Sequence, residues 1–152
     1  MTDEFRHRTS LQVRFRDVDA FRHVNNAVFF SYIEQARVGY LLDVLAVEAD
    51  FATLPLILAR VEIDFRSPIV FGDEVTIGSR VDRVGNTSFS MSHRVTIGPE
   101  ERLAADADSV LVTYDYTAER PMRVPDAWRE RFAAHEGREL EAGSPQTAAA
   151  AG

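Results

Sequence analysis

A short stretch near the N-terminus places two carboxylates and an imidazole directly before a long apolar run. Asp17, Asp19 and His23 lie in the sequence RDVDAFRHVNN, which leads into AVFFSYIEQARVGYLL. A carboxylate and an imidazole in a loop that enters a helix N-terminus could polarise a carbonyl group, because the free N–H groups there favour negative charge. An aspartate in this position can equally be a turn or cap residue. The stretch therefore predicts either an active site or a capped loop.

The residues before this loop predict a strand, and those after it predict a helix. From Thr9 to Arg16 polar and apolar residues alternate, with Leu11, Val13 and Phe15 on one face, which is typical of a half-buried strand. From Asn26 to Leu45 apolar residues recur every three or four positions, which predicts one long helix. Asn25 or Asn26 can cap this helix by accepting a free N–H group of its first turn.

The rest of the chain predicts a sheet. Its expected strands are Leu56–Arg66, Glu74–Val84, Ser88–Ile97 and Leu103–Thr117, followed by a short helix at Asp126–His135. Short turns between strands favour antiparallel pairing, and the long helix is the element large enough to cover the apolar face. The prediction is an α+β fold, a five-stranded antiparallel sheet wrapped around one central helix. Residues 1–136 are expected to form a single domain, and residues 137–152 a disordered tail.

Composition excludes several chemistries. The 152 residues contain no cysteine and no lysine, so a thiol nucleophile, a disulfide and a Schiff base are all impossible. A net charge of −7 argues against nucleic-acid binding. The sequence has no membrane-length apolar run, secretory signal, G-x-S-x-G motif, metal-ligand spacing or phosphate-binding glycine loop. We expect a cytoplasmic protein that uses no cofactor and no metal, and that contacts neither membrane nor nucleic acid.

The stretch from Arg14 to Arg37, RFRDVDAFRHVNNAVFFSYIEQAR, resembles the hotdog-fold acyl-CoA thioesterases of the 4-hydroxybenzoyl-CoA thioesterase-like family. The D-x-D pair at Asp17 and Asp19 matches the loop of that family. The HVNN segment also resembles plant acyl-carrier-protein (ACP) thioesterases. The resemblance extends over about residues 10–132, where FRSPIVFGDEV and LAADADSVLVTYDYTAERPMRVP fit the same domain.

The resemblance implies a catalytic role for three residues. Asp19 would be the catalytic carboxylate, acting as a general base or as a nucleophile that forms a mixed anhydride. The amide of Asn26 at the helix start would stabilise the oxyanion, and His23 would orient water or donate a hydrogen bond. The sequence departs from the plant enzymes at Phe21, where they have asparagine. Asp17 is expected to shape the loop through backbone hydrogen bonds.

Three neighbouring residues are candidates for contact with substrate. Phe29 and Tyr32 could form walls of an acyl pocket or belong to the core, and Asn25 could bind substrate or cap the helix. His93 shares the apolar face of its strand and is expected to be a core histidine. Any of five arginines could bind coenzyme A phosphates: Arg60, Arg66, Arg80, Arg83 and Arg94.

The resulting expectation is an acyl-CoA thioesterase that releases a free acid and coenzyme A, assembled as a homodimer or homotetramer by analogy with the family. One alternative is a thioesterase acting on acyl-ACP or on a polyketide being off-loaded. Another is a hotdog module that binds acyl-CoA without hydrolysing it.

Overall fold

The computed structural model describes residues 5–46 and 53–141, which contain six strands and two helices. Five strands form a sheet in the order β1-β3-β4-β5-β2, and the two-residue strand β6 pairs with β5. The elements are β1 His7–Gln12, a 3-10 turn at Phe15–Asp17, α1 Asn26–Leu45, β2 Leu56–Phe65, β3 Glu74–Val84, β4 Ser88–Ile97, β5 Arg102–Asp115, β6 Arg120–Pro121 and α2 Asp126–Glu136.

The predicted long helix and antiparallel sheet are confirmed. The bounds of α1, β3 and β4 agree with the prediction, while β2 and β5 differ by one or two residues. Asn25 caps α1, since its Oδ1 accepts the N–H of Ala27 at 2.8 Å. These elements were predictable because local periodicity and turn residues indicate the same bounds.

The first strand ends earlier than predicted, and Phe15 does not face the core. Strand β1 stops at Gln12, and the 3-10 turn follows because the carboxylate of Asp17 accepts the Arg14 N–H at 2.9 Å. Val13 is buried, but Phe15 is 84% exposed. The alternation of apolar residues therefore continues in the sequence beyond the point where the strand ends.

Residues 137–141, which were expected to belong to a disordered tail, contact the rest of the chain. Leu140 is buried, its carbonyl accepts the N–H of Val84 at 2.7 Å, and Glu141 forms a β-bridge with Val84. Residues 142–152 lie outside the described residues. The single domain over residues 1–136 stays a prediction.

The chain divides into two compact units, of which the first contains the candidate site. This unit comprises residues 1–40, 63–80 and 93–107. Its core lies between α1 and the sheet, where Phe29, Ile33 and Ala36 of the helix join Ile77 and Val95 of the strands in one buried cluster. The start of α1 is therefore held on the sheet by apolar packing.

Among the described residues, the second unit comprises 41–46, 53–62, 81–92 and 108–141, and it contains α2. The ring centroids of Phe132 and Phe89 lie 4.9 Å apart in the core of this unit. Arg129 of α2 donates to the Gly85 carbonyl at 2.6 Å, and the buried Glu136 accepts the Val81 N–H at 3.0 Å. Hydrogen bonds between these two side chains and backbone groups therefore hold α2 in place on both sides of Phe132.

A polar pair is buried in the first unit. His93 is 1% exposed, which confirms it as a core histidine, and its Nδ1 lies 2.9 Å from the Ser79 hydroxyl. Burial, together with the positive charge of Arg37, lowers the pKa of His93 to about 3. The imidazole therefore stays neutral in the folded protein at physiological pH.

We predict that His93 makes the protein lose stability as the pH falls. An unfolded histidine titrates near pH ~6.5, whereas the folded pKa is about 3. Between these values the unfolded state binds a proton that the folded state does not, so the free energy of unfolding falls with decreasing pH by up to about 1.4 kcal/mol per unit. Urea unfolding at pH 7, 5.5 and 4.5 measures this slope.

The variant His93→Gln should show a smaller loss than the wild type over this range, because it lacks the titrating group. Thr117→Gln, which changes an exposed residue that has no titratable side chain, serves as the control and should leave the slope unchanged. Equal slopes in wild type and His93→Gln would contradict the assignment.

Candidate active site

Asp17 anchors the loop to α1 from a buried position. Its side chain is 2% exposed and accepts the Tyr32 hydroxyl at 2.8 Å, the Arg14 N–H at 2.9 Å and the Arg14 Nη2 at 3.0 Å. Burial raises the pKa of Asp17, but the hydrogen bonds from Arg14 and Tyr32 outweigh it and bring the pKa below its usual value. Burial and the bond to Asp17 raise the pKa of Tyr32. Asp17 is thus an ionised structural residue, as expected.

A tight hairpin between Asp17 and the helix presents the second aspartate. Val18 and Val24 form a β-bridge, and the Asp19 N–H donates to the His23 carbonyl at 3.0 Å. Arg22 has φ +68°, a left-handed conformation that non-glycine residues adopt rarely. The turn brings Asp19 and His23 together at the base of this hairpin.

The Asp19 carboxylate is held by two donors from the same loop. The half-buried side chain accepts the Phe21 N–H on Oδ1 at 2.9 Å and the Asn25 Nδ2 on Oδ2 at 3.1 Å. Asn25 uses its other amide atom to cap α1. The Asn25 side chain therefore connects the carboxylate to the helix N-terminus, while each carboxylate oxygen keeps acceptor capacity for a further partner.

The first N–H group of α1 is available for a ligand. The Ala27 N–H donates to the Asn25 side chain and the Val28 N–H to the Asn25 carbonyl at 2.8 Å. Within the described ranges 5–46 and 53–141, the Asn26 N–H has no acceptor. A free amide at the positive end of a 20-residue helix is suited to an oxyanion.

A pocket of about 290 Å³ opens beside this amide. Three of the predicted site residues line it, namely His23, Asn26 and Phe29, and the ring of Phe29 meets Phe65 edge-on at 5.0 Å. The remaining lining residues are Val24, Arg66, Ser67 and Pro68. Asp19, Asn25 and Tyr32 are not among the lining residues. Asp19 contacts one lining residue, since its backbone N–H donates to the His23 carbonyl at 3.0 Å.

Sequence reasoning missed the segment after β2 that forms the opposite wall. The N–H groups of Arg66 and Ser67 both donate to the Ala104 carbonyl, and the Val24 N–H donates to the Ile69 carbonyl at 2.7 Å. This segment, FRSPIVFGDEV, supported the resemblance, but only its Arg66 was considered for the site, as one of five candidates for phosphate binding. Its proximity to His23 depends on contacts between residues about forty positions apart, which periodicity does not reveal.

Two further observations concern metal-binding groups and membrane-spanning helices among the described residues. Over residues 5–46 and 53–141, no group of three or more histidine, aspartate or glutamate side chains is arranged to hold a metal ion. Neither α1 nor α2 is long and apolar enough to cross a membrane.

Comparison with known proteins identifies the class to which this fold and site belong. Residues 13–132 match the family model of the Thioesterase-like superfamily. The chain belongs to this superfamily, which confirms the resemblance and the hotdog fold. Thioester hydrolysis is therefore the chemistry of the protein.

Individual relatives agree with this assignment. A thioesterase from Thermus thermophilus, solved in complex with coenzyme A and Zn, is 41% identical, with a TM-score of 0.80 over 91% of this chain and 100% of that one. The long-chain acyl-CoA thioesterase FadM of Escherichia coli is 27% identical over 82% of this chain and 95% of its own length. The chloroplastic acyl-acyl carrier protein thioesterase ATL3 of Arabidopsis thaliana is 26% identical over 83% and 67%, respectively.

We predict that Asp17→Asn destabilises the protein by about 2–4 kcal/mol, because it removes a buried charge and replaces one of the two acceptor oxygens with an NH2 group that faces donors of Arg14 or Tyr32. Urea unfolding at pH 7 measures this change. Asp73→Asn is the matched control, since the carboxylate of Asp73 accepts one backbone N–H, that of Val70, at 2.9 Å, and it should cost about 1 kcal/mol or less. Similar losses in the two variants would contradict the anchoring role of Asp17.

Proposed function

We propose that the protein hydrolyses acyl-CoA thioesters to a free acid and coenzyme A, with Asp19 as its catalytic carboxylate. The observation that carries this proposal is the Asn25 side chain, which bonds the Asp19 carboxylate and the first turn of α1 at the same time. This side chain ties the candidate base to the helix N-terminus through the Ala27 N–H, next to the Asn26 N–H that we propose as the oxyanion donor. The names of FadM and of the Thermus complex support acyl-CoA as the substrate class.

The arrangement supports the following reaction. The acyl group enters the pocket against Phe29 and Phe65, and the thioester carbonyl accepts the Asn26 N–H. As a general base, Asp19 removes a proton from water as the water oxygen bonds to the acyl carbon, and that proton then passes to the leaving thiolate. As a nucleophile, Asp19 itself displaces the thiolate, and water cleaves the resulting mixed anhydride. Both routes end in a carboxylic acid and a free thiol.

Neighbouring residues have supporting roles in this proposal. The exposed His23 lines the pocket and is placed to orient the water or to donate to the acyl oxygen. Asn25 holds the carboxylate and caps the helix, so its function is positioning. Tyr32 acts through Asp17, by fixing the loop, and Phe29 forms the acyl wall.

The absence of cysteine supports a cytoplasmic location.

We predict that Asp19→Asn and Asp19→Ala lower kcat about 10²- to 10⁴-fold, because both remove the base or nucleophile. The fold should persist in both, since Asp19 is only half-buried. The assay uses purified protein, a panel of acyl-CoA esters and a thiol-trapping dye. Glu130→Gln, which changes an exposed carboxylate of α2, is the control and should keep the wild-type rate. Full activity in both Asp19 variants would refute the assignment.

A second candidate substrate is acyl-ACP, which the likeness to ATL3 and the HVNN segment favour. The chemistry at Asp19 would be the same, and the leaving thiol would be carried by a protein. Assays of the same acyl group on coenzyme A and on ACP separate the two substrates by their kcat/KM values. Ligand-induced thermal stabilisation without turnover on either substrate would instead indicate a non-catalytic binding module.

We also propose that the protein is a homo-oligomer that pairs through β2. This strand is last in the sheet order, so one of its edges has no strand partner among the described elements. Along it, Leu58 and Phe65 are 42% and 43% exposed. An exposed apolar edge strand favours pairing with another chain, and a second copy presents the same edge with the same side chains.

The oligomer proposal predicts that wild-type protein elutes as a dimer or larger species in size-exclusion chromatography with light scattering. Leu58→Glu should shift the mass towards that of a monomer, because the new charges repel each other and resist burial. Arg83→Glu, a charge-changing control at an exposed position of β3, should leave the mass unchanged. A monomeric wild type, or an unaltered mass in Leu58→Glu, would rule out pairing through β2.

A further inference from the structure

Apolar side chains project into solvent beside the candidate site. Phe15 is 84% exposed, Phe71 is 60% exposed and Val70 is 41% exposed, and we call these three residues the aromatic rim. The rings of Phe15 and Phe71 meet edge-on with centroids 6.1 Å apart. Exposed apolar patches of this kind mark binding surfaces in soluble proteins.

The aromatic rim is held in place by its backbone. Phe15 begins the 3-10 turn that the buried Asp17 closes. On the other side, the Val70 N–H donates to the Asp73 carboxylate at 2.9 Å, and Gly72 takes the left-handed φ of +98° that this turn requires. Rings presented on fixed turns lose little conformational freedom when a ligand binds.

A groove of about 670 Å³ adjoins the aromatic rim at Phe71, the rim residue that lines it. It lies over the end of β1 and the start of β3, which pair in register at Gln12 and Glu74. Phe71 forms part of its wall together with Gln12, Val13, Glu74 and Thr76. This volume is typical of small-molecule sites, and the side chains offer both an apolar surface and hydrogen-bond acceptors.

Two arginines with no carboxylate partner lie on the loop that carries Phe15. Arg16 and Arg22 are exposed, and within residues 5–46 and 53–141 neither forms an ion pair. The arginines first considered for phosphate binding are mostly engaged elsewhere. Arg60 pairs with Glu62, Arg66 and Arg94 approach Asp106, and Arg80 lies over the Phe5 ring. Of the five, Arg83 is exposed and forms no ion pair with the described residues, and Arg16 and Arg22 add two further available guanidinium groups on the loop that carries Phe15.

We propose that the aromatic rim and its groove bind the adenine ring of the coenzyme A substrate, and that Arg16 and Arg22 bind its phosphates. This inference rests on the proposed function, since the leaving group of an acyl-CoA must lie on the surface while its thioester is at Asp19. Adenine stacks on phenylalanine rings, and its amino group can donate to Gln12 or Glu74. Arginine forks match phosphate oxygens.

The test compares two substrates that share the reacting group but differ in the nucleotide. An acyl-CoA carries the nucleotide, whereas the thioester of the same acyl group with N-acetylcysteamine lacks it. Phe15→Ala should lower kcat/KM for acyl-CoA about 10-fold through KM, as expected for the loss of one base–aromatic stack. The N-acetylcysteamine ester should react with Phe15→Ala as with wild type. Phe15→Trp should restore the acyl-CoA value, because indole also stacks.

Arg16→Gln should raise KM for acyl-CoA alone, and the effect should shrink as salt concentration rises. Arg120→Gln, which changes an exposed arginine of β6 that is not a candidate for phosphate binding, is the matched control and should change neither substrate. Equal losses on both substrates would show a structural role for Phe15, and no loss on either would show that the nucleotide binds elsewhere. Either result overturns the proposal.

Binding can be measured without turnover. Calorimetric titration with adenosine 3′,5′-bisphosphate should show binding to wild type and to Asp19→Asn, and about 10-fold weaker binding to Phe15→Ala. An inactive protein that still binds this nucleotide through Phe15 would refute the hydrolase proposal and keep the rim proposal. The rim proposal would be overturned if the wild type did not bind the nucleotide. It would also be overturned if Phe15→Ala abolished binding to phosphatidylglycerol vesicles but left the nucleotide titration unchanged.

Discussion

The buried carboxylate of Asp17 is the interaction on which the whole site depends. It accepts from the backbone and guanidinium of Arg14 and from the hydroxyl of Tyr32, so it joins the end of β1 to the second turn of α1. The hairpin that carries Asp19 starts directly after it. Because a buried charge is costly without its donors, the loop has one strongly favoured conformation. The orientation of the candidate base and the outward position of Phe15 both follow from this conformation.

The fold was largely predictable because most of its determinants are local. The bounds of α1 follow from apolar residues at helical spacing and from an asparagine cap, and those of β3 and β4 follow from alternation between glycine turns. The prediction that Phe15 faces the core was wrong because its position depends on hydrogen bonds and not on the apolar pattern. Its place in an alternating pattern predicts a buried side chain, but the hydrogen bonds of Asp17 end the strand first, and apolar alternation carries no information about them.

The candidate site was predictable only in part, since half of it is formed by contacts distant in sequence. Asp19, His23 and Asn26 could be chosen from one continuous motif. The wall formed by Phe65 to Pro68 reaches the motif through the bond between Val24 and the Ile69 carbonyl. The bond from Asn25 to Asp19 is local, yet it depends on the left-handed backbone at Arg22, which an arginine does not signal.

The double use of the Asn25 side chain couples the capping of α1 to the orientation of the candidate base. One amide atom caps the helix and the other holds the carboxylate, so fraying of the first helical turn also releases the base from its orientation. Helix ends open locally at a much lower free-energy cost than whole domains. Opening of this one helical turn would therefore disturb the active-site geometry while the sheet stays folded.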